Sequence, residues 1–564
     1  MVDFFGKDQN ITSPEKLAYI DKLTEKFDIF PSILDNFCLG ELSDMDQTMQ
    51  ADPWFWYSKD KGFTVPVADK VAKHLKIPFD GRRNKAVYMA SLENVIDFGH
   101  CYARDYQLKS HLEKHEFPLD DLLEVQAVLT DKGKITITKG GKIYPKRLIF
   151  AERYFAQALV DLDSAAMAYF DNVCVEHPAF DALAEEQKEA VHALQKSNLV
   201  ILTGLPGTGK TRTVSAISQI YGEENVVLCA PTGKAAKRIT ELCGMEARTL
   251  HSILFFTDTY EGYKLEGNGT LEGKLVIVDE ASMMDIEIAG KLAIALDKTT
   301  CKLLVVGDPC QLPSVGPGEV LKSVVDSGIG IHCHLTQIKR QNPGSIINSA
   351  HAIANGEMLI RGEDKEVQTY YYGNTPMTEL AKRLAISDKW LGAQFLTVLK
   401  DQGSGIINPI IQEVVNPGLG RFRDGDKIIH LKNDKTNNVM NGDTGVVRKV
   451  FKTGELIAEY SDKREVYYSK RMQWMIDLAY AFTVHKAQGS EFDRVIFFLN
   501  KSRITTRNLL YTGLTRAKKQ ILVIAENEDV VCDAIDNLDK GRQSSLTAYI
   551  GYFKKEKVNG TKSR

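Results

Sequence analysis

The chain has 564 residues, 43% of them hydrophobic and 26% charged, an ordinary soluble composition with room for about three or four domains. A net charge of −3 excludes a protein that holds nucleic acid by bulk positive charge, although a local basic groove would suffice. No basic-then-apolar leader and no apolar run of membrane-spanning length is present, so no membrane is expected. Nine cysteines without a CxxC pair fit a reduced, cytoplasmic protein.

In chain order, residues 1–175 carry helix-like patterns and no glycine-rich phosphate loop. From about 176 onward, short apolar strands alternate with helices, the texture of a parallel α/β sheet. Four strands are predicted at Asn198–Thr203, Val226–Ala230, Lys274–Val278 and Lys302–Val306, and each runs into a polar segment containing Gly or Asp. Ligands of open α/β sheets bind at the carboxyl ends of strands, so these four segments should converge. The polar insert 255–273 is predicted as a protruding hairpin. His332-Cys333-His334 is read as structural, because neighbours on a strand point to opposite faces. A second α/β block begins near 341, with strands at Gln394–Leu399, Val495–Phe498 and Gln520–Ala525. Inside it, about 421–475, short alternating strands with Gly-Asp and Asn-Gly turns predict a small inserted β-barrel. The basic tail Lys554–Arg564 is predicted to be disordered.

The strongest local signal is GLPGTGKT, Gly204–Thr211. It follows an apolar strand and precedes a helical run, the context that a G-x-x-x-x-G-K-[ST] loop requires. Glycines let backbone N–H groups wrap phosphates, and the helix N-terminus adds partial positive charge. Gly204, Pro206, Gly207, Thr208, Gly209, Lys210, Thr211 and Arg212 are therefore candidate nucleotide ligands. Lys210 should reach the β- and γ-phosphates, and Thr211 should ligate Mg²⁺. Asp279 and Glu280 end the next strand but one. Asp279 is placed for the metal and Glu280 for orienting or deprotonating a water. Gln311, in GDPCQLPSVGPG, would sense the γ-phosphate.

The ordered set Gln187, GLPGTGKT, APTGKAAKR, TLHSIL, VDEASM, GDPCQLPSVGPG, LTQIKRQ, YAFTVHKAQGSEFD and LLYTGLTRAKK resembles the RecD-like branch of superfamily 1B DNA helicases. The resemblance covers about Gln187 to Lys519. It implies an α/β fold with two RecA-like motor domains, 176–340 and 341–564, the second carrying an SH3-like barrel insert. It also implies an ATP- and Mg²⁺-dependent enzyme moving 5′→3′ on single-stranded DNA. Gln187 would meet the adenine, Gly489 and Glu491 the nucleotide, and Arg340 and Arg516 the γ-phosphate. Thr232, His251, Thr397, Thr483, His485 and Lys486 would line the DNA path. The stretch DPWFWYSKDKGFTVPVADKVAKHLKI resembles a helix-hairpin-helix region within a mainly helical domain, 1–175, but Lys59–Phe63 carries a single glycine.

Expected partners are single-stranded DNA and single-strand/duplex junctions, with single-strand-binding and recombination proteins as candidates. A monomer is expected. Three positions depart from the family pattern: Cys310 stands where an acidic residue is usual, Lys234 where Arg is common, and Gly513 where Ala is usual. Phe255, Phe256 and Trp474 fit core packing better than base stacking. An accessory subunit that uses the fold for assembly, and a motor on RNA, stay open as alternatives.

Overall fold

The computed structural model describes residues 14–562 except 35, 38, 60, 169–175, 255, 260–261, 266–270, 272, 297–299, 339–343, 435–436, 462 and 539–540. The chain divides into two compact units, Met1–Phe150 with Arg542–Ser544, and Ala151–Gly541 with Ser545–Arg564.

The first unit is mainly helical. Its core gathers Leu23, Phe27, Phe63, Val87, Tyr88, Leu92 and Leu112. Helices Val65–His74 and Gly81–Ile96 are joined through Leu75–Asp80. Lys76, not a glycine, takes the left-handed conformation there (φ 58°). Helices Asp105–Lys114 and Leu122–Asp131 are followed by a short antiparallel hairpin, β1 (Ile135–Ile137) and β2 (Ile143–Pro145).

The second unit is α/β. Its first sheet is wholly parallel and contains β3 (Leu199–Gly204), β4 (Val226–Ala230), β5 (Arg248–Thr249), β8 (Leu275–Val278), β9 (Lys302–Gly307) and β10 (Ile331–Leu335), in the order β10-β3-β9-β8-β4-β5. A two-stranded antiparallel ribbon, β6 (Phe256–Thr259) and β7 (Gly262–Leu265), lies between β5 and β8 in sequence. Strands β3, β8 and β9 are buried at every position. Burial on both faces favours continuous apolar runs over alternation, and this is what made the strands readable.

The second parallel sheet contains β11 (Val367–Tyr371), β12 (Gln394–Thr397), β18 (Ala481–Thr483), β19 (Phe492–Leu499) and β20 (Ala517–Ala525), in the order β11-β20-β19-β12-β18. Between β12 and β18 the chain makes a five-stranded antiparallel sheet from β13 (Lys427–His430), β14 (Thr444–Val450), β15 (Leu456–Tyr460), β16 (Glu465–Tyr468) and β17 (Ile476–Leu478). Its interior holds a buried polar cluster in which the Tyr460 and Tyr468 hydroxyls share a 2.5 Å hydrogen bond and Tyr468 meets His430 Nδ1 at 3.0 Å.

The tail corrects one expectation. Residues Leu546–Lys562 form a helix. Thr547 Oγ1 donates to Ser323 O, Lys554 Nζ to Gly328 O, and Lys557 Nζ pairs with Asp161 at 2.8 Å. Two of the basic residues that suggested a solvated coil, Lys554 and Lys557, therefore have a carbonyl and a carboxylate partner. His332 and His334, two residues apart, share a strand face, and both rings meet Thr203 Oγ1 at 2.7 Å. Among the described residues no group of three or more His, Cys, Asp and Glu could hold a metal ion, and no helix is long and apolar enough to cross a membrane.

Candidate active site

Strand β3 ends at Gly204, and a loop of five residues, 205–209, leads into helix Lys210–Tyr221. Gly207 (φ 81°) and Gly209 (φ 91°) adopt a left-handed conformation that side chains rarely take, the kind of backbone that can form an anion-binding nest. A Cβ on Gly209 would stand 2.3 Å from Gln187 Nε2, and one on Gly204 would stand 2.7 Å from Thr208 Oγ1. Lys210 Nζ donates to the carbonyls of Gly204 (2.5 Å) and Leu205 (3.2 Å), bent back over the loop where a β/γ-phosphate would take its place. Thr211 is half-buried beside it, and Arg212 is exposed with Nη2 donating to Ala182 O. The glycine-lined cradle and its lysine fit a triphosphate.

Gln187 is buried and holds the loop from behind. Its Oε1 accepts from Ala184 N (3.1 Å) and its Nε2 donates to Thr208 O (3.2 Å).

Asp279 lies at the end of β8 and is buried. Burial, then the neighbouring Glu280, pushes its carboxyl up to about 7, with Lys210 and Arg238 opposing. Its Oδ1 accepts the adjacent Glu280 N–H at 2.8 Å. A buried carboxyl beside a second carboxylate, within the field of Lys210, fits a hard divalent cation. Glu280 itself sits at φ 52°, a left-handed non-glycine at the strand end. Such strain gathers at functional sites because the surrounding structure must enforce it.

The second sheet supplies the opposite wall. Arg516 is buried, and its guanidinium donates to Thr512 O (3.0 Å), Ser490 O (3.0 Å) and Thr515 Oγ1 (3.1 Å). Burial pushes its pKa down, while the fields of Glu280 and Glu491 push it up, so the first sheet's carboxylate is within electrostatic reach of the second sheet's arginine. Arg238 Nη2 pairs with Glu491 at 2.5 Å across the same cleft. Gly489 (φ 72°) brings its backbone against Ala235, at the start of helix Gly233–Cys243.

The segment after β9 joins the two walls directly. Asp308 is fully buried. It accepts from Cys310 N (2.9 Å) and from the Tyr511 hydroxyl (2.5 Å) in helix Arg507–Leu514. Gln311 O accepts from Asn508 Nδ2 (3.1 Å), Leu312 N donates to Thr512 Oγ1 (2.8 Å), and Gln488 Nε2 donates to Leu312 O (3.0 Å). Sequence reasoning missed Asp308, Tyr511, Gln488 and Arg238 as site residues, although all four lie inside motifs it had singled out, and it missed Asn508, one residue before the last motif.

The DNA candidates fall into two groups. Thr232 caps helix Gly233–Cys243, and His251 is exposed just after β5, the strand paired with β4. Thr397 and Thr483 are register partners at the carboxyl ends of β12 and β18, with His485 and Lys486 following. Thr397 is fully buried, and its hydroxyl is spent on Leu399 O (2.9 Å) and Ser404 N (3.2 Å). Burial and nearby Lys400 push the Lys486 pKa down. Trp474 is half exposed, with Lys432 Nζ 4.5 Å from its ring centre, which departs from the packing expected of it. Arg340, Phe255 and much of the 255–273 insert lie outside the described residues, and the Phe256 side chain is likewise not described.

Two parallel sheets, a phosphate loop on one and a buried arginine on the other, define a P-loop protein with tandem RecA-like cores. Residues 182–370 match the family described as an AAA domain, and residues 478–524 match the UvrD-like helicase C-terminal domain. An ATP-dependent RecD2 DNA helicase of Deinococcus radiodurans is 34% identical over 410 residues, 68% of this chain and 55% of the relative. The RecBCD enzyme subunit RecD of Mycobacterium tuberculosis is 27% identical over 456 residues, 69% of this chain and 78% of the relative. A Bacteroides Pif1 structure bound to single-stranded DNA covers 67% of this chain and 98% of its own, at 21% identity and a TM-score of 0.42. The chain belongs to the RecD-like helicases, and it spans about half the length of the Deinococcus relative (55%).

Proposed function

We propose that the chain is an ATP-dependent DNA helicase that translocates 5′→3′ on single-stranded DNA, with Mg²⁺ as its metal. The observation that carries this reading is the cleft itself, where Lys210, Asp279, Glu280 and the Asp308–Gln311 segment of one RecA-like core face Arg516 and Glu491 of the other. Membership of the RecD-like family supports DNA as the track.

In this reading the loop amides and Lys210 bind the β- and γ-phosphates. Thr211 and Asp279 hold Mg²⁺, which neutralises phosphate charge when bound. Glu280 orients and accepts a proton from the attacking water, Gln311 senses the γ-phosphate, and Arg516 moves from its carbonyl partners onto it, with Arg340 as a second cation. An arginine so placed is worth roughly 10³–10⁵ in turnover. Gln187, Pro206, Gly207, Thr208, Arg212, Gly489 and Glu491 shape the nucleotide pocket. Thr232, His251, Thr397, Thr483, His485 and Lys486 form the strand path. Thr397 would act by setting the backbone after β12, since its hydroxyl is engaged within the chain. The inserted sheet, about 421–475, is read as an SH3-like barrel that guides the strand together with the 255–273 hairpin. Residues 1–175 are read as a helical domain with a helix-hairpin-helix-like region. We further read the chain as a cytoplasmic monomer acting in replication, recombination or repair at single-strand/duplex junctions, where single-strand-binding and recombination proteins are candidate partners.

One experiment tests activity, substrate and direction together. Duplexes with a 5′ or a 3′ single-stranded tail are incubated with ATP and Mg²⁺. Unwinding of the 5′-tailed substrate alone is expected. No unwinding of either, with no DNA stimulation of ATP turnover, overturns the proposal.

A further inference from the structure

The charge of the first unit changes sign along one short piece of chain. Residues 116–131 hold five acidic side chains, Glu116, Asp120, Asp121, Glu124 and Asp131, and no Lys or Arg. Residues 132–151 hold six basic ones, Lys132, Lys134, Lys139, Lys142, Lys146 and Arg147, and no Asp or Glu. The acidic stretch carries helix Leu122–Asp131, and the basic stretch carries the β1–β2 hairpin.

The fold makes this basic stretch a supported projection. Ala103 pairs with Ile143 on the far side of β2, so β2 is central and β1 lies at an edge. Ile135, Ile143 and Tyr144 are buried and anchor the base. The turn closes through Thr138 N to Lys142 O (3.0 Å), and Arg104 Nη1 donates to Gly140 O (3.1 Å) at the tip. Lys132, Lys134 and Lys139 are exposed, and Lys142 Nζ stands 4.7 Å from the Tyr102 ring centre. Two helices, Asp105–Lys114 and Leu122–Asp131, precede this cationic hairpin.

The signs decide which element can meet DNA. A helix with Asp120, Asp121, Glu124 and Asp131 in and around it is repelled by the groove that a recognition helix enters. The hairpin has the opposite charge. From Lys134 to Lys139 the chain spans about five residues, up to about 17 Å at strand rise. Duplex DNA presents a phosphate charge about every 1.7 Å of axis, so one hairpin edge can face several. The hairpin itself exposes no aromatic ring, since Tyr144 is fully buried. Single-strand sites rely on such stacking platforms, whereas backbone contacts alone suit a duplex.

We propose that the β1–β2 hairpin is a second DNA contact, in which Lys132, Lys134 and Lys139 hold the phosphate backbone of duplex DNA without reading its sequence. This rests on the reading of the chain as a DNA motor. It assigns the duplex contact to a hairpin and leaves the adjacent helix off the groove.

The test uses the full chain and a blunt 20-base-pair duplex. Binding is followed by fluorescence anisotropy as salt is raised. Each phosphate contact contributes about 0.9 to the slope of log K against log salt, so the Lys132→Ala/Lys134→Ala/Lys139→Ala variant should flatten the slope by about 2.7. The corresponding triple Lys→Arg variant should keep it. Binding to oligo-dT and DNA-stimulated ATP turnover should change less than about twofold, since phosphate contacts elsewhere carry them. An unchanged duplex slope overturns the proposal, and so does an equal loss on oligo-dT, which would place the hairpin on the single strand. Should the wild-type chain lack DNA-stimulated turnover while the duplex slope still depends on these lysines, the motor reading fails and the hairpin assignment stands.

Discussion

Tyr511→Phe removes one oxygen atom and should uncouple the two RecA-like cores. The Tyr511 hydroxyl is buried and donates to Asp308 Oδ2 at 2.5 Å, across 203 residues of sequence. Burial and Asp308 hold its pKa far above its usual value, so it stays a neutral donor at every working pH. A hydrogen bond to a charged group contributes about 1.5–3 kcal/mol, and the orphaned buried carboxylate adds its own desolvation cost. Asp308 keeps one other partner, the Cys310 N–H. If turnover requires the two walls to be joined, a loss of this size lowers the joined population by up to about 10- to 150-fold, at 1.4 kcal/mol per decade. DNA-stimulated turnover at saturating ATP should fall by that order. Affinity for a fluorescent ATP analogue should change less than about threefold, because the phosphate loop is untouched. Paired with Asp308→Asn in a double-mutant cycle, the two losses should be non-additive. A variant with a lowered melting temperature and turnover within twofold of wild type would refute the reasoning, since the bond would then be structural only.

Other perturbations follow from the same geometry. Lys210→Ala should lower ATP turnover at least about 100-fold, read by phosphate release, without lowering the melting temperature of the apoprotein, because Nζ contacts only loop carbonyls. Arg516→Lys should cost turnover nearly as much as Arg516→Ala, as an ammonium lacks the planar fork with which a guanidinium grips a phosphate; near wild-type turnover in the Lys variant would contradict this. Lys302 is buried, and burial pushes its pKa down from 10.5 to about 8. The charged form is therefore disfavoured in the folded state by on the order of 3 kcal/mol. That penalty is full below pH 8 and lifts as pH rises from about 8 towards 10.5, so stability should rise over that window. Lys302→Met should abolish the rise in a series of pH-dependent melting curves.

The parallel cores were legible because burial on both faces turns strands into apolar runs, as in LVIV of β8 and LLVV within β9. The phosphate loop was legible because its conformation demands glycine at fixed spacing, and Gly207 and Gly209 do take positive φ. What stayed hidden was anything that depends on who meets whom. Thr397 reads as a polar residue at a strand end, yet its hydroxyl is turned inward to Leu399 and Ser404. Trp474 reads as core, yet a lysine covers a half-exposed ring. Tyr511 and Asn508 face Asp308 and Gln311 from about 200 positions away, a pairing with no local period to announce it. The tail looked like solvated coil because its charges were visible and their partners, Gly328 O and Asp161, were not.

The same contacts explain how the chain does without an acidic residue at Cys310. A second carboxylate there would stand beside Asp308, which is already fully buried. The Cys310 thiol is instead pushed up to about 12 by burial and by Asp308, so it is neutral and adds no charge to the pocket. Its backbone N–H, not its side chain, is what Asp308 uses. The link between the segment after β9 and the second core therefore runs through Asp308 to Tyr511, and through the backbone of Gln311 and Leu312 to Asn508, Thr512 and Gln488. Three of those four contacts use main-chain atoms of the segment. Side-chain variation at 310 is thus tolerated by the coupling, whereas loss of the Asp308 carboxylate is not. Cys310→Asp should leave the ratio of unwinding to ATP turnover near wild type, or lower it through repulsion with Asp308. A clear rise in that ratio would mean that the acidic side chain itself transmits the signal.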